Sequence, residues 1–243
     1  MKFKEIFRDE RHLQLFHLLL TASVFGVLMV LFRLRINIDG WYFPVTKNGL
    51  DWQRGPMFLF LIWNLFLAWI PYFMAQFLRF TEKKGKISWK SIGLLGAWLL
   101  FFPNAPYLLT DLLHLRPKPP VPHWYDLILL FSFACTGLML GLLSLYEVQK
   151  FLRKHFAEAQ VWAATVGIAF MGGFGVWLGR YQRWNSWDIV VQPFSLIKDT
   201  FYDLHYPTAF AKMVAVSLLL TVFLLMGHLV LLTLLGERKA GRD

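Results

Sequence analysis

The sequence predicts an all-α fold: a polytopic integral membrane helical bundle of about six transmembrane helices, in which residues 1–243 form a single membrane-embedded domain. Composition is the first observation, since 57% of the residues are hydrophobic and 16% are charged, whereas soluble domains average about 25% charged. The second is a mean hydropathy of +0.48. The third is the grouping of apolar residues into six long runs, because a helix crosses a bilayer with roughly 20 mostly apolar residues.

Each of these runs is expected to be a transmembrane helix. Within lipid, every backbone N–H and C=O must be bonded inside the protein, and a helix achieves this within one segment. The first run is longer than the roughly 7–15 apolar residues of a signal-peptide core, so it is predicted to be a retained span. The predicted spans are approximately residues 13–32, 56–78, 89–109, 126–148, 160–178 and 212–235.

The distribution of basic residues predicts the orientation of the bundle. Fifteen of the 25 lysines and arginines lie in the two termini and in the short loops 79–90 and 149–159. Short loops rich in lysine and arginine mark the cytoplasmic side, so both termini are predicted to be cytoplasmic in a plasma (inner) membrane. The net charge of +10 is then explained by the basic residues that orient the spans, so nucleic acid is not expected as a partner. The loops predicted to face outward are 33–55, 103–125 and 179–211.

Two of the outward loops carry their own structural signals. Loop 33–55 contains turn signals at residues 37–40 and 47–49, which predict a short hairpin on the membrane surface. In the last outward loop, apolar residues recur at helical spacing after Pro193. This pattern predicts a short amphipathic helix near 193–204 that lies in the interface.

The third span is predicted to be broken at Pro103/Pro106, in the stretch PNAPYLLTDLLH at residues 103–114. Each proline lacks an N–H and clashes with the preceding turn, so carbonyl groups are freed there. At membrane depth such groups are tolerated only where protein or a water-filled cavity satisfies them. Asp111 and His114 stand at i, i+3 on one face of the chain. Thr110 or Asp111 is expected to cap a short second helix.

A second polar stretch, GRYQRWNSWD at residues 179–188, follows the fifth apolar run. Arg180 and Arg183 are about one turn apart, so they can share a target, and guanidinium groups bind phosphate or carboxylate bidentately. Trp184 and Trp187 suit the headgroup level of a bilayer. The small residues that precede the stretch favour close approach of a neighbouring helix, namely Gly172, Gly173 and Gly175.

Together, these two stretches resemble an uncharacterised bacterial integral-membrane family. It is one of the numbered families of unknown function, marked by PNAPY-x-x-TD-x-x-H and by a later G-R-x-x-R-W-N-S-W-D. The resemblance implies a membrane protein and draws attention to the motif residues, but it brings no established activity, cofactor or substrate. The candidate catalytic residues are Asp111, His114 and Asp188, and the candidate ligand-binding residues are Asn104, Tyr107, Arg180, Arg183, Trp184, Asn185 and Trp187.

Two interpretations of these residues need no catalysis. In the first, Asp111 or Asp188 pairs with Arg180 or Arg183 and pins spans three and five together, because charges at the bilayer edge are costly unless paired. In the second, the cluster binds an anionic lipid headgroup or a lipid-linked ligand at the extracytoplasmic face. The second interpretation requires Asp111 and Arg180 within about 12 Å, near one Debye length. An enzyme would need an accessible pocket that contains these side chains, whereas direct pairing would leave no room for a ligand.

An enzymatic interpretation stays open beside these. Asp111 or Asp188 would act as a general base with His114, on a lipid-linked substrate of the outer leaflet that undergoes hydrolysis or group transfer. Asp-x-x-His also resembles half of a di-metal carboxylate pattern. Only one copy is present, so no metal site is predicted. The further ligands for such a site would have to come from Asp188, His123 or His205.

The last alternative is a small-solute transporter, a membrane sensor or an assembly subunit, with the broken span as its binding site. Its polar lining would come from span two, through Asn64, Pro71 and Gln76. No inverted repeat is evident to support transport. Three ionisable residues lie toward the inner halves of their spans and are expected to be satisfied by neighbours or by snorkelling: His17, Glu147 and His228.

Overall fold

The computed structural model describes residues 10–39, 45–46, 49–50, 58–82, 86–116 and 121–236. The α-helices of this part are α1 (Glu10–Asp39), α2 (Leu59–Phe77), α3 (Trp89–Phe101), α4 (Asn104–Thr110), α5 (His123–Leu152), α6 (Glu158–Trp177), α7 (Asp188–Val191), α8 (Pro193–Leu204) and α9 (Pro207–Leu234). Turns of 3₁₀-helix occupy Leu78–Phe80 and Asp111–His114, and a π-helical turn occupies Leu178–Gln182. The strands β1 (Val45–Thr46) and β2 (Gly49–Leu50) form an antiparallel pair.

The described helices confirm the predicted all-α bundle of a multi-pass membrane protein. Seven of them, with their adjoining turns, form six segments that are long and apolar enough to cross a membrane, since α3 and α4 together make the third. The third segment includes the predicted break, and every segment except the second is longer than predicted. The candidate spans are Glu10–Arg35, Leu59–Phe80, Trp89–His114, His123–Leu152, Glu158–Gln182 and Pro207–Leu234.

Side-chain contacts show which helix ends lie together. At one end, here called the site end, the Arg33 guanidinium of α1 bonds to Asp126 at the start of α5, with Nε–Oδ1 at 2.9 Å. Both side chains are 0% exposed, and the sequence interpretation did not identify this pair. At the opposite end, here called the far end, Lys154 after α5 pairs with Glu82 after α2 at 2.8 Å. Successive spans therefore alternate in direction, as short connections require.

The core is centred on α5, which packs against α1, α2, α4, α6 and α9. Every residue from 140 to 149 is buried, including polar ones near the far end. Glu147 pairs with His12 at 2.8 Å, and Gln149 bonds to His228 at 2.9 Å. Glu147 is thus paired by a neighbour as predicted, whereas His228 is bonded only through Nε2 and its buried Nδ1 has no hydrogen-bond partner among the described residues. His17 lies exposed beside the ring of Phe16.

The predicted break in the third span is confirmed. Helix α3 ends at Phe101 and α4 begins at Asn104, with Phe102 and Pro103 between them. The expected cap at Thr110 or Asp111 is wrong, because the Thr110 hydroxyl instead donates to the carbonyl of Tyr107 at 2.7 Å. The chain tightens into the 3₁₀ turn Asp111–His114 without starting a new helix.

Glycines hold this break close to its neighbours. A Cβ built at Gly175 of α6 would lie 2.4 Å from Cγ of Pro103, and one at Gly137 of α5 would lie 2.4 Å from Cδ1 of Leu108. Real Cβ atoms do not approach so closely, so only glycine fits without movement. The predicted close approach near residues 172–175 is therefore present, and it involves the break itself.

The two loop predictions agree with the described residues in part. Val45 pairs with Leu50, which forms the expected hairpin, but α1 continues to Asp39, so the loop begins later than residue 33. Helix α8 begins at Pro193 as predicted and packs against α7 and α9. Phe194 is 85% exposed on its surface. The interfacial position of α8 stays a prediction.

Candidate functional site

The centre of the site is a buried ion pair between Asp111 and Arg180, here called the clasp. Asp111 opens the 3₁₀ turn after α4 and is 0% exposed, while Arg180 lies in the π-helical turn after α6. Arg180 Nη1 donates to Asp111 Oδ1 at 3.3 Å, well within the predicted limit. Asn64 of α2 donates to the other carboxylate oxygen at 3.0 Å. The clasp therefore joins the second, third and fifth spans at the site end.

Arg180 also bonds to the backbone at the end of α4. Its Nη2 donates to the carbonyl of Thr110 at 2.8 Å. Its guanidinium carbon lies 5.8 Å from the centroid of the Tyr107 ring, a cation–π distance. The Arg180 side chain is only 14% exposed, so these contacts replace most of its hydration.

His114 stands at the edge of the clasp. Its Nδ1 accepts from Arg180 Nη2 at 3.1 Å, because a guanidinium N–H can only donate. The same nitrogen is 3.8 Å from Asp111 Oδ1. The ring lies 4.9 Å from that of Phe60, centroid to centroid, and the side chain is 40% exposed. His114 therefore connects the buried pair to an accessible surface.

Arg183 has a different environment from Arg180. Its φ is +61°, in the left-handed region that is uncommon for non-glycine residues, as the chain leaves the π-helical turn. The residue is exposed and makes no ion pair or hydrogen bond with any residue that the structure describes. A strained backbone that presents an unpaired cation suggests a functional role.

Arg183 lines a cavity of about 420 Å³, here called the arginine cavity. No carboxylate is among the described residues of its lining, whereas two arginines and a histidine are. The carboxylate of the clasp lies behind Arg180 and is already bonded twice. The residues that line the arginine cavity are Tyr107, His114, Gly179, Arg180, Arg183 and Asn185.

A smaller cavity of about 120 Å³, here called the tryptophan cavity, shares three lining residues with the first: Tyr107, Gly179 and Asn185. The rest of its lining includes Trp63, Asn64, Asn104, Trp184 and Ser186, together with Leu67, Leu100, Pro103, Gly175, Leu178, Ile189 and Leu196. The sequence interpretation placed Asn64 in a transporter lining and gave Ser186 no role. A polar residue within an apolar span was the available signal for Asn64.

Asp188 and Trp187 lie outside this constellation. The Asp188 carboxylate accepts the backbone N–H of Asn185 at 2.6 Å and its side-chain amide at 3.2 Å. It therefore closes the loop that presents Asn185, and it makes no ion pair with the described arginines. Trp187 is 38% exposed and lines neither cavity. Eight of the ten candidate site residues thus contribute to the clasp or to the two cavities.

The arrangement is suited to binding an anion beside a structural ion pair. Both oxygens of Asp111 are bonded, which leaves it poorly placed to take a proton from a ligand. The hydroxyl of Thr110 is bonded to the backbone. Within the described part of the chain, no group of three histidine, cysteine, aspartate or glutamate side chains is arranged to hold a metal ion.

Comparison with known families agrees with the resemblance seen in the motifs. A family model described as "Protein of unknown function (DUF1361)" matches residues 63–226. That range contains both polar stretches and all the residues that line the two cavities. The span α1 and the chain ends lie outside it. No curated protein and no solved structure matches the chain.

Proposed function

We propose that this chain, which belongs to the DUF1361 family of proteins of unknown function, is a multi-pass protein of a bacterial plasma membrane that binds the anionic headgroup of a membrane lipid or of a lipid-linked ligand. The observation that carries the proposal is Arg183. It is exposed, it has no carboxylate partner among the described residues, and it shares a cavity of about 420 Å³ with Arg180 and His114.

The charge balance of the cavity favours an anion. Arg180 is neutralised by Asp111, so the charge of Arg183 is left over. An unpaired cation at the edge of a bilayer is costly, and a bound phosphate or carboxylate would remove that cost. Guanidinium groups bind such anions through two parallel hydrogen bonds, which Arg183 can supply from one wall of the cavity.

The surroundings of the cavity favour a lipid as the source of the anion. The cavity lies where the third and fifth spans end, at His114 and Gln182. Leu113, which precedes His114 in the chain, is 64% exposed, and Trp63, which lines the tryptophan cavity, is 53% exposed, as expected for side chains that face lipid near the headgroups. The distribution of basic residues supports an extracytoplasmic position for the site end, with both chain termini in the cytoplasm.

The test is lipid binding by Arg183→Ala, measured by native mass spectrometry on protein purified in detergent. Wild-type protein is titrated with phosphatidylglycerol and with phosphatidylcholine of the same acyl chains. We expect preference for the anionic lipid and a loss of about 10-fold or more in its affinity in Arg183→Ala, since a hydrogen bond to a charged group contributes about 1.5–3 kcal/mol. Arg183→Lys keeps the charge without the planar fork and should fall between the two.

Arg116→Ala is the matched control. Arg116 is also an exposed arginine near the site end, but it lines neither cavity. Its removal should leave the affinity unchanged. Equal losses in both variants would show a general surface attraction, and equal binding of the two lipids by the wild type would refute the proposal.

A further inference from the structure

We infer that the bound headgroup is a phosphate ester of glycerol or of a similarly small polyol, with its phosphate in the arginine cavity and its hydroxyl groups in the tryptophan cavity. This inference rests on the proposed function and names its ligand class. It is drawn from the contrast between two adjoining cavities, of about 420 and 120 Å³, that share the wall formed by Tyr107, Gly179 and Asn185.

The tryptophan cavity differs from the arginine cavity in charge. Its lining contains no acidic or basic side chain among the described residues, whereas the arginine cavity has Arg180 and Arg183. An anionic group is therefore favoured in the arginine cavity alone. A part of the ligand that enters the tryptophan cavity must be neutral, because no side chain there compensates a charge.

The neutral lining still has unused hydrogen-bonding capacity. Asn104 donates from Nδ2 to the Phe101 carbonyl and to Ser186 Oγ, both at 2.9 Å, so its amide donors are used while its Oδ1 has no partner among the described residues. Ser186 accepts from Asn104, and its O–H donor is unused in the same part of the chain. Asn64 is likewise used as a donor, to Asp111.

An alcohol matches this pattern better than an amine or a carboxylate. A hydroxyl group donates one hydrogen bond and accepts others, so it can donate to Asn104 Oδ1 and accept from the Ser186 hydroxyl at the same time. An ammonium group could only donate, and a carboxylate could only accept. Ring faces of Trp63 and Trp184, which also line the cavity, suit the C–H groups between the hydroxyls.

The size of the cavity limits the polyol. At about 120 Å³, against about 420 Å³ for the arginine cavity, the tryptophan cavity suits a small group such as glycerol better than an oligosaccharide. The same chemistry occurs in a membrane lipid, phosphatidylglycerol, and in a soluble ester, glycerol 3-phosphate, so both enter the test.

The experiment compares lipids that share acyl chains and differ only in headgroup. Wild-type protein in detergent is titrated with phosphatidylglycerol, phosphatidic acid, phosphatidylserine and phosphatidylcholine, and the apparent Kd of each is read by native mass spectrometry. We expect phosphatidylglycerol to bind at least several-fold more tightly than phosphatidic acid, although the latter carries no less negative charge. Glycerol 3-phosphate is added as a competitor, and displacement at a lower concentration than free phosphatidylglycerol needs would assign the soluble source.

Ser186→Ala tests the assignment of the tryptophan cavity. Loss of one neutral hydrogen bond, about 0.5–1.5 kcal/mol, corresponds to roughly a 2- to 10-fold weaker affinity. We expect this loss for phosphatidylglycerol and no change for phosphatidic acid. Ser132→Ala is the matched control, because that hydroxyl bonds to the Leu129 carbonyl within α5 and lines neither cavity.

The outcomes separate this inference from the proposed function. If anionic lipids are preferred but phosphatidylglycerol and phosphatidic acid bind equally, the polyol inference is overturned and the proposed function stands. If phosphatidylcholine binds as well as the anionic lipids, the polyol inference and the proposed function are both refuted. If Ser186→Ala weakens every lipid equally, the tryptophan cavity does not hold the headgroup, and the inference is likewise overturned.

Discussion

Arg180 and Arg183 are three residues apart and have opposite environments. The π-helical turn directs Arg180 inward, where Asp111 neutralises it and the Thr110 carbonyl accepts a hydrogen bond. The left-handed conformation at Arg183 directs the chain away from the helix axis and leaves its side chain exposed. One arginine therefore holds the bundle together, and the other is available to a ligand.

The clasp is predicted to be a structural element. In Asp111→Ala, Arg180 remains largely buried without its carboxylate and Asn64 loses its acceptor, so we expect a loss of about 3–5 kcal/mol in the free energy of unfolding. Removing both partners in Asp111→Ala/Arg180→Met should recover part of that loss. Thermal unfolding of the purified protein in detergent measures each effect.

Asp188→Asn is the control for this prediction. Asp188 bonds only within its own loop among the described contacts, so we expect a change within about 1 kcal/mol. If the double variant at the clasp unfolds as if the two single losses simply added, Asp111 and Arg180 do not stabilise each other. If Asp111→Ala is as stable as the wild type, the clasp contributes nothing to the fold.

The choice of partners could not be read from the sequence. Two aspartates and two arginines in the motifs allow four pairings, and residue type alone does not distinguish them. The pairing depends on the direction of each side chain, which the π-helical turn and the left-handed Arg183 set. The presence of Asp111, His114 and Arg180 in one cluster was predictable, because their motifs end spans at the same side.

The position of the broken third span is determined by close packing against the neighbouring helices. Pro103 fits against Gly175 of α6, and Leu108 fits against Gly137 of α5. These contacts hold α4 between the two helices, and this position brings Asp111 to the π-helical turn. The prolines interrupt the helix, and the close contacts at Gly175 and Gly137 fix the position of α4.

Gly175→Ala is predicted to disturb this position. Its Cβ would lie 2.4 Å from Cγ of Pro103, so α4 or α6 must shift, and we expect a loss of about 1–3 kcal/mol in stability. Lipid binding should weaken as well, since Asn104 follows Pro103 directly and lines the tryptophan cavity. The midpoint of thermal unfolding and the native mass spectrometry titration are the two measurements.

Gly167→Ala in the same helix is the matched control. A Cβ there meets nothing within 4 Å, so the substitution should be neutral or stabilising by up to about 1 kcal/mol through helix propensity. Equal effects of the two alanine substitutions would mean that α4 does not need the close approach. In that case the position of α4 would depend on the clasp instead.

At the scale of elements, the sequence predicted the spans and the break but not the π-helical turn. Apolar runs and prolines are local signals, so they can be read without the fold. The π-helical turn at Leu178–Gln182 adds one residue to a turn, and no local pattern announces it. It is supported by contacts to another span, through Arg180 and the Thr110 carbonyl. The continuation of α1 to Asp39 was also not predicted, and it too is accompanied by a contact with another span, the buried Arg33–Asp126 pair.

The whole molecule is asymmetric between its two ends. The site end contains both cavities and the clasp, while the far end has buried polar pairs and short basic connections. Because the described contacts determine which helix termini share an end, the orientation of one connection determines that of all the others. The charge distribution predicts that the connection after α5 is cytoplasmic.

This orientation is tested by labelling introduced cysteines with a membrane-impermeant maleimide. The chain has one native cysteine, Cys135, so Cys135→Ala gives a cysteine-free background. Gln192→Cys places an exposed thiol at the site end, and Ala157→Cys places one at the far end. In intact cells we expect labelling of Gln192→Cys alone, and after permeabilisation we expect both to react. The reverse pattern in intact cells would place the arginine cavity in the cytoplasm, and the lipid that it binds would then belong to the inner leaflet.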